Sequence, residues 1–254
     1  MPTPVLIPSY NPDARLHRVL DALPQTVSPV VLINGGDAPE NQFGIATAEK
    51  FGAELHVYEE RGKLPAIQQY LGNIPIKEAL SSMLLLDDDT APLDPQAWHD
   101  IFCRILAEYD APTSVGGPIV YIDCPPVDMV LRTARRAIRA RLGRANQYGP
   151  NMAFKLRRKK VLEKVLELPN IWPGEDAAIA KTIQRSRGKH VQTSNPFALA
   201  ATPLSACAIP LHKRLLLGPE ATRQAVTANY IASGPKNAQP YSKAMHKKRQ
   251  TVPI

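Results

Sequence analysis

Leu84-Leu85-Leu86-Asp87-Asp88-Asp89-Thr90 decides how the rest of this chain is read. Three consecutive leucines read as the end of a buried strand. Three carboxylates follow where that strand would leave its sheet, and in open α/β sheets ligands bind outside the carboxyl ends of the strands. Asp87 and Asp89, two apart, can both reach a hard divalent cation such as Mg²⁺ or Mn²⁺, which takes oxygen ligands. An ion there would hold a diphosphate and neutralise charge on a leaving group. The plain alternative is an acidic loop that caps the next helix and stays solvated.

Outward from this stretch, strand-like and helix-like segments alternate. Val5 to Pro8, Pro29 to Ile33, Glu54 to Tyr58 and Ser82 to Leu86 read as strands. Between them, Asn11-Pro12-Asp13 starts a helix carrying Leu16, Val19, Leu20 and Leu23 at helical spacing, and Asn41 to Phe51 and Pro65 to Leu71 read as two more. After Asp94-Pro95 comes a helix with Trp98, Ile101, Phe102, Ile105 and Leu106 on one face, then a strand over Ser114 to Val120 broken by Gly116-Gly117-Pro118. This alternation argues for an α/β fold, a mostly parallel sheet with helices on both faces. Further on, helices are expected over Val130 to Leu142, Arg157 to Leu166 and Gly174 to Ser186, with a turn into a strand at Gly149 to Phe154 and a last strand at His190 to Thr193. Beyond about residue 194 the pattern weakens. Residues 1–232 are taken as one domain and 233–254 as a basic C-terminal tail, mobile unless it docks.

The chain has 254 residues, enough for one large α/β domain. No run approaches the ~18 to 20 apolar residues that span a bilayer. The N-terminus lacks the basic and apolar regions of a signal peptide, so a cytoplasmic protein is the default, with a peripheral place on a membrane as the variant. Cys103, Cys124 and Cys207 show neither a disulfide framework nor zinc spacing and are expected as buried free thiols. Lys and Arg outnumber Asp and Glu by 31 to 23, unevenly. One cluster holds Arg132, Arg135, Arg136, Arg139, Arg141 and Arg144, a second Lys155, Arg157, Arg158, Lys159 and Lys160, and a third Lys243, Lys247, Lys248 and Arg249. Such clusters attract phosphates, anionic lipid or nucleic acid, or are simply solvated helix faces.

Six segments in order resemble the GT-A glycosyltransferases, especially family 2. They are Val5-Leu6-Ile7-Pro8-Ser9-Tyr10-Asn11, Val31-Leu32-Ile33-Asn34-Gly35-Gly36-Asp37, Arg61-Gly62-Lys63-Leu64-Pro65-Ala66, the DxD-like Asp87-Asp88-Asp89, Gly149-Pro150-Asn151-Met152-Ala153-Phe154, and Trp172-Pro173-Gly174-Glu175-Asp176, similar to the family's "ED" motif at a helix start. The resemblance implies a GT-A, Rossmann-like sheet with a C-terminal extension. It also implies a metal-dependent hexosyltransferase that moves a sugar from a nucleotide-diphospho-sugar, a UDP-sugar by preference, to an acceptor hydroxyl with inversion.

Site roles follow residue by residue from that resemblance. Asp89 would coordinate Mn²⁺ or Mg²⁺, with Asp87 on the metal or the ribose and Asp88 between them in the donor site. Asp37 would lie near the base, with Pro8 and Asn11 lining the same pocket, although Asn34-Gly35-Gly36-Asp37 departs from the family's acidic pair followed by Gly-Ser. Lys63 would meet the diphosphate. Asp176 would be the catalytic base, with Glu175 as its neighbour or alternative, or would position the sugar if configuration is retained. His212 is the candidate later metal ligand.

The acceptor stays open between a glycan, a lipid-linked sugar and a nucleic acid reached through the basic clusters at 132–144 and 155–160. A glycosyltransferase acting on hydroxymethylated bases of DNA fits the basic balance. A non-catalytic nucleic-acid-binding α/β protein is the alternative of a different class. A nucleotidyltransferase would carry a Gly-rich, basic phosphate loop after the first strand, where this chain has Pro8-Ser9-Tyr10-Asn11-Pro12.

Overall fold

The computed structural model describes residues 2–141, 151–172, 174–193, 195–203, 209, 211–233, 235 and 238. The chain begins with β1 (Thr3–Ser9), α1 (Ala14–Asp21), β2 (Val27–Asn34), α2 (Gln42–Lys50), β3 (Glu54–Tyr58), α3 (Lys63–Asn73), a single turn α4 (Ile76–Ala79) and β4 (Ser82–Leu86). It continues with β5 (Ala91–Pro92), α5 (Pro95–Ala107), β6 (Thr113–Gly116), β7 (Ile119–Ile122) and α6 (Pro126–Arg141). Then come β8 (Asn151–Lys155), α7 (Lys159–Leu166), α8 (Glu175–Arg185), β9 (Lys189–Gln192), β10 (Ala200–Pro203) and α9 (Leu211–Ser233).

Seven strands form one sheet in the order β3-β2-β1-β4-β8-β6-β9. Pairing is parallel from β3 through β4 and between β6 and β9, while β8 runs antiparallel to β4 and β6. Alternation along the strands sends Leu6, Val30, Leu32, Met83 and Leu85 to one face, against α3, α7 and α8. Val5, Ile7, Val31, Ile33, Leu84 and Leu86 go to the other, against α1, α2 and α5. Both faces are covered, which is why the central strands read as unbroken apolar runs. Two helix starts follow from capping side chains: Asp13 accepts from the Arg15 N–H at 2.8 Å, and Asp94 from the Ala97 N–H at 3.0 Å.

A second sheet, β5-β10-β7, lies beside the first. The strand expected over Ser114 to Val120 is therefore two strands in two sheets. The Gly117 N–H donates to the Asn151 carbonyl at 3.0 Å, and Pro118, with no N–H, ends the ladder there. Asn151 joins the layers: its Oδ1 accepts from Trp98 Nε1 at 2.7 Å, and its Nδ2 donates to the carbonyls of Ala198 at 2.8 Å and Pro118 at 3.2 Å.

Other expectations shift. The basic helix starts earlier, at Pro126, and β10 and α9 occupy a region whose pattern was weak. Non-helical backbone at Gly218 divides α9. Cys103 and Cys124 are free but half-buried rather than buried, and Cys207 lies outside the described residues, as do Arg144, the third basic cluster and most of the tail. Lys155 does not belong to a solvent-facing cluster. It is buried, and its ammonium donates to the carbonyls of Leu106 and Tyr109 at the end of α5, where a helix dipole favours a cation. Arg157, Arg158, Lys159 and Lys160 remain exposed. No described helix is long and apolar enough to cross a membrane.

Candidate active site

Parallel β1, β2 and β4 bring Ser9, Asn34 and Leu86 to the same edge of the sheet, and Asn151 opens antiparallel β8 opposite Leu86. The carboxylate run starts at that edge, and a cleft of about 220 Å³ opens over it. Tyr10, Asn34, Arg61, Gly62, Lys63, Asp88, Asp89, Trp172 and Pro235 line it. Each carboxylate of the run meets a donor of its own. Asp87 accepts from Lys63 Nζ at 2.6 Å, and Asp88 accepts from the Ser9 hydroxyl. Asp89 accepts from the hydroxyls of Thr90 at 3.2 Å and Thr202 at 3.3 Å, with Arg15 Nη1 3.7 Å away.

Buried Asn34 fixes one wall. Its Nδ2 donates to the Ser9 carbonyl at 2.7 Å, and its Oδ1 accepts from the Gly62 N–H at 2.9 Å. Gly62 sits at φ 142°, and a Cβ there would come within 2.9 Å of Asn170 Oδ1. Only glycine suits that position. The bend sets Arg61 with its guanidinium 3.8 Å from the Tyr10 ring centroid, and Lys63 with its ammonium 5.4 Å from that of Trp172.

Electrostatics draw α8 into the same constellation. Burial alone would lower the Lys63 pKa, but the carboxylates of Asp87, Glu175 and Asp88 outweigh it and raise it, so this ammonium stays charged. Burial pushes Asp88 up to about 6. Burial, then the negative charge of Asp87, raises Asp89. Burial and then neighbouring Glu175 push Asp176 up to about 8, and Glu175 is itself raised, first by burial. Glu175 Oε2 accepts from the Gly174 N–H at 3.0 Å, at a cap residue in the left-handed region, φ 107°.

The structure thus brings Lys63, Asp87, Asp88, Asp89, Glu175 and Asp176 together, and of these Lys63, Asp88 and Asp89 line the cleft. Pro8 is buried in β1. Asn11 is exposed, and its N–H donates to Asn41 Oδ1 at 2.9 Å. Asp37 is exposed in the turn after β2, its carbonyl accepting from Gln42 Nε2. His212 falls near the start of α9, and its side chain lies outside the described residues. Ser9, Arg15, Asn34, Arg61, Trp172 and Thr202 carry parts of the site that had no assigned role in the sequence. Asn34 had a local signal, a polar residue closing an apolar run before Gly-Gly, and Ser9, Arg61 and Trp172 fall within segments that carry the resemblance.

The donor set suits a divalent cation. Burial and mutual repulsion work against the charges of Asp88 and Asp89, and a cation relieves both. Among the described residues no group of three or more His, Cys, Asp or Glu could hold a metal ion by itself. One or two carboxylates completed by substrate phosphates and water are how Mg²⁺ is commonly held.

No protein-family model matches the sequence, and no curated protein does. Solved structures share the fold. The mannosyltransferase PcManGT from Pyrobaculum calidifontis, in complex with GDP-Man and Mn²⁺, superposes with a TM-score of 0.56 at 16% identity, covering 99% of this chain and 76% of that one. A cytidylyltransferase from Leptospira borgpetersenii superposes with a TM-score of 0.51 at 10% identity, covering 100% of this chain and 99% of that one. The chain therefore shares a GT-A-like α/β fold with these two proteins.

Proposed function

We propose that this protein transfers a sugar from a nucleotide-diphospho-sugar, a UDP-sugar by preference, to an acceptor hydroxyl with the help of Mn²⁺ or Mg²⁺. The observation that carries this reading is the carboxylate run at the end of β4, with Lys63 Nζ 2.6 Å from Asp87, beside a cleft lined by Asp88, Asp89, Tyr10, Arg61 and Trp172. Asp89 and Asp87 would hold the cation, which supplies positive charge to the diphosphate as the leaving group forms. Lys63, kept cationic by its acidic neighbours, adds a second positive charge at the same place. The base and ribose would lie toward the ends of β1 and β2, on the side of Pro8, Asn11 and Asp37.

Asp176 takes the acceptor proton. Burial and then neighbouring Glu175 raise its pKa, so it would act as base in the ionised fraction that grows as pH rises toward about 8. Glu175 supports it by helping to raise that value while it caps α8. In-line attack would then invert the anomeric centre.

The test is release of nucleoside diphosphate from a panel of UDP-, GDP- and other nucleotide sugars, with Mn²⁺, Mg²⁺ or a chelator. Cation-dependent hydrolysis of one donor, lost in Asp89→Asn, is the expected result. Nucleotidyl transfer is the second reading, favoured by the full-length match to a cytidylyltransferase fold. It would release pyrophosphate from a nucleoside triphosphate instead, so a parallel assay of pyrophosphate release from nucleoside triphosphates separates the two.

A further inference from the structure

Helix α6 carries exposed aliphatic side chains along its described part. In a surface helix of a globular protein the apolar stripe faces the core and the charges face water. Here Asp128 is 6% exposed, whereas Val127, Val130, Leu131 and Ile138 are 69%, 60%, 49% and 58% exposed. With exposed Ala134, positions 127, 130/131, 134 and 138 follow helical spacing, a stripe about 17 Å long at 1.5 Å per residue. The same 16 residues hold arginine at 132, 135, 136, 139 and 141 against one acid, the inward Asp128. A phosphate backbone would be served by the arginines alone. Exposed aliphatic side chains interleaved with arginine suit a helix lying in a lipid headgroup layer. Helix α9 repeats the combination on a smaller scale, with exposed Leu215, Leu216 and Leu217 following Lys213 and Arg214.

We propose that α6 docks this protein on the surface of an anionic lipid bilayer, its aliphatic stripe at the headgroup–acyl boundary and the positive charge of its five arginines attracted to the lipid phosphates. The docking face is tied to the candidate site by short strands. Tyr121 of β7 is in register with Thr202 of β10, Thr202 donates to Asp89, and only three residues separate β7 from α6. Docking needs neither donor nor chemistry, so it stands or falls separately from the transferase reading.

The test is co-sedimentation of the full chain with vesicles of phosphatidylcholine alone and of an equal mixture with phosphatidylglycerol, at low and high salt, beside duplex DNA. The expected result is binding at least about tenfold tighter to the anionic vesicles, weakened by salt. Leu131→Asp/Ile138→Asp is expected to lose at least about tenfold of that binding while releasing nucleoside diphosphate from soluble donor as the parent does. Arg135→Glu/Arg136→Glu is expected to lose the preference for anionic over neutral vesicles. Vesicle binding that is absent from the parent, or unchanged in the Leu131/Ile138 variant, overturns the proposal. So does binding to DNA in place of vesicles.

Discussion

The inner edge of the seven-stranded sheet and the layer outside it are built on opposite plans. At the inner edge, β1, β2 and β4 end on side chains that are buried and multiply bonded: Asn34 ties Ser9 to Gly62, Ser9 holds Asp88, and Lys63 holds Asp87. In the outer layer, β5, β10 and β7 are two to four residues long, and α6 turns aliphatic side chains outward. The link from β10 to the carboxylate run is the Thr202 hydroxyl on Asp89. The inner edge is thus held by its own hydrogen bonds and ion pairs, and the outer layer touches it through Thr202.

The largest expected effect probes the inner edge. Asp89→Asn keeps the threonine contacts but removes the charge, and should lower donor turnover by about 10²–10³-fold at unchanged fold, as loss of a preorganised electrostatic group does. Turnover within a few-fold of the parent, measured as nucleoside diphosphate release, would move the catalytic charge away from the inner edge.

Next comes the joint between the regions. Asn151→Ala strips partners from Trp98 Nε1 and from the carbonyls of Ala198 and Pro118, all held by one buried amide. Each unsatisfied buried group costs about 1–3 kcal/mol, so chemical denaturation should show a loss of roughly 3 kcal/mol. A loss below about 1 kcal/mol would mean that the two sheets hold together without this residue.

These two regions also differ in how far they could be read from the sequence. Strands β1, β2 and β4 were legible because burial on both faces leaves apolar runs such as Val30 to Ile33 and Met83 to Leu86. The outer layer broke that rule. Strands β6 and β7 merged into one because Gly116-Gly117-Pro118 interrupts without changing the apolar character on either side. In α9, three adjacent leucines and Gly218-Pro219 blur any period of 3.6. The site divides the same way. Consecutive carboxylates announce themselves, but Arg15, Arg61, Trp172 and Thr202 are single residues from separate segments, and only the folded chain assembles them. Lys155 misled because composition does not show that an ammonium is spent on the end of a helix.

A third effect sharpens the inner edge through pH. The folded chain holds the Asp176 proton up to about 8, whereas the unfolded chain releases it near the ordinary 3.8. Between those values the folded state binds the extra proton, so the stability this group contributes is full below about pH 4 and is lost as pH rises toward 8. Asp176→Asn carries no titrating proton. Relative to the parent it should gain stability with pH on the order of 1 kcal/mol per unit across pH 5 to 7. Parallel melting curves for the two proteins over that range would show that Asp176 ionises freely, and would remove the ground for its raised value.

The smallest expected effect falls on α6, where the difference between the regions becomes a statement about water. Leu131 and Ile138 are exposed in the free chain, so Leu131→Asp/Ile138→Asp removes little packing, and carboxylates meet solvent at no desolvation cost. Exposed substitutions of this kind change stability by about 0.5 kcal/mol or less, and the melting temperature should stay within the scatter of replicate scans. The same pair of changes at two inner positions, Leu85 and Met152, would bury unpaired charge and prevent folding. A drop of several degrees in the α6 variant would show that the stripe is covered by the protein itself, and the outward face of α6 would then belong to the core rather than to a partner surface.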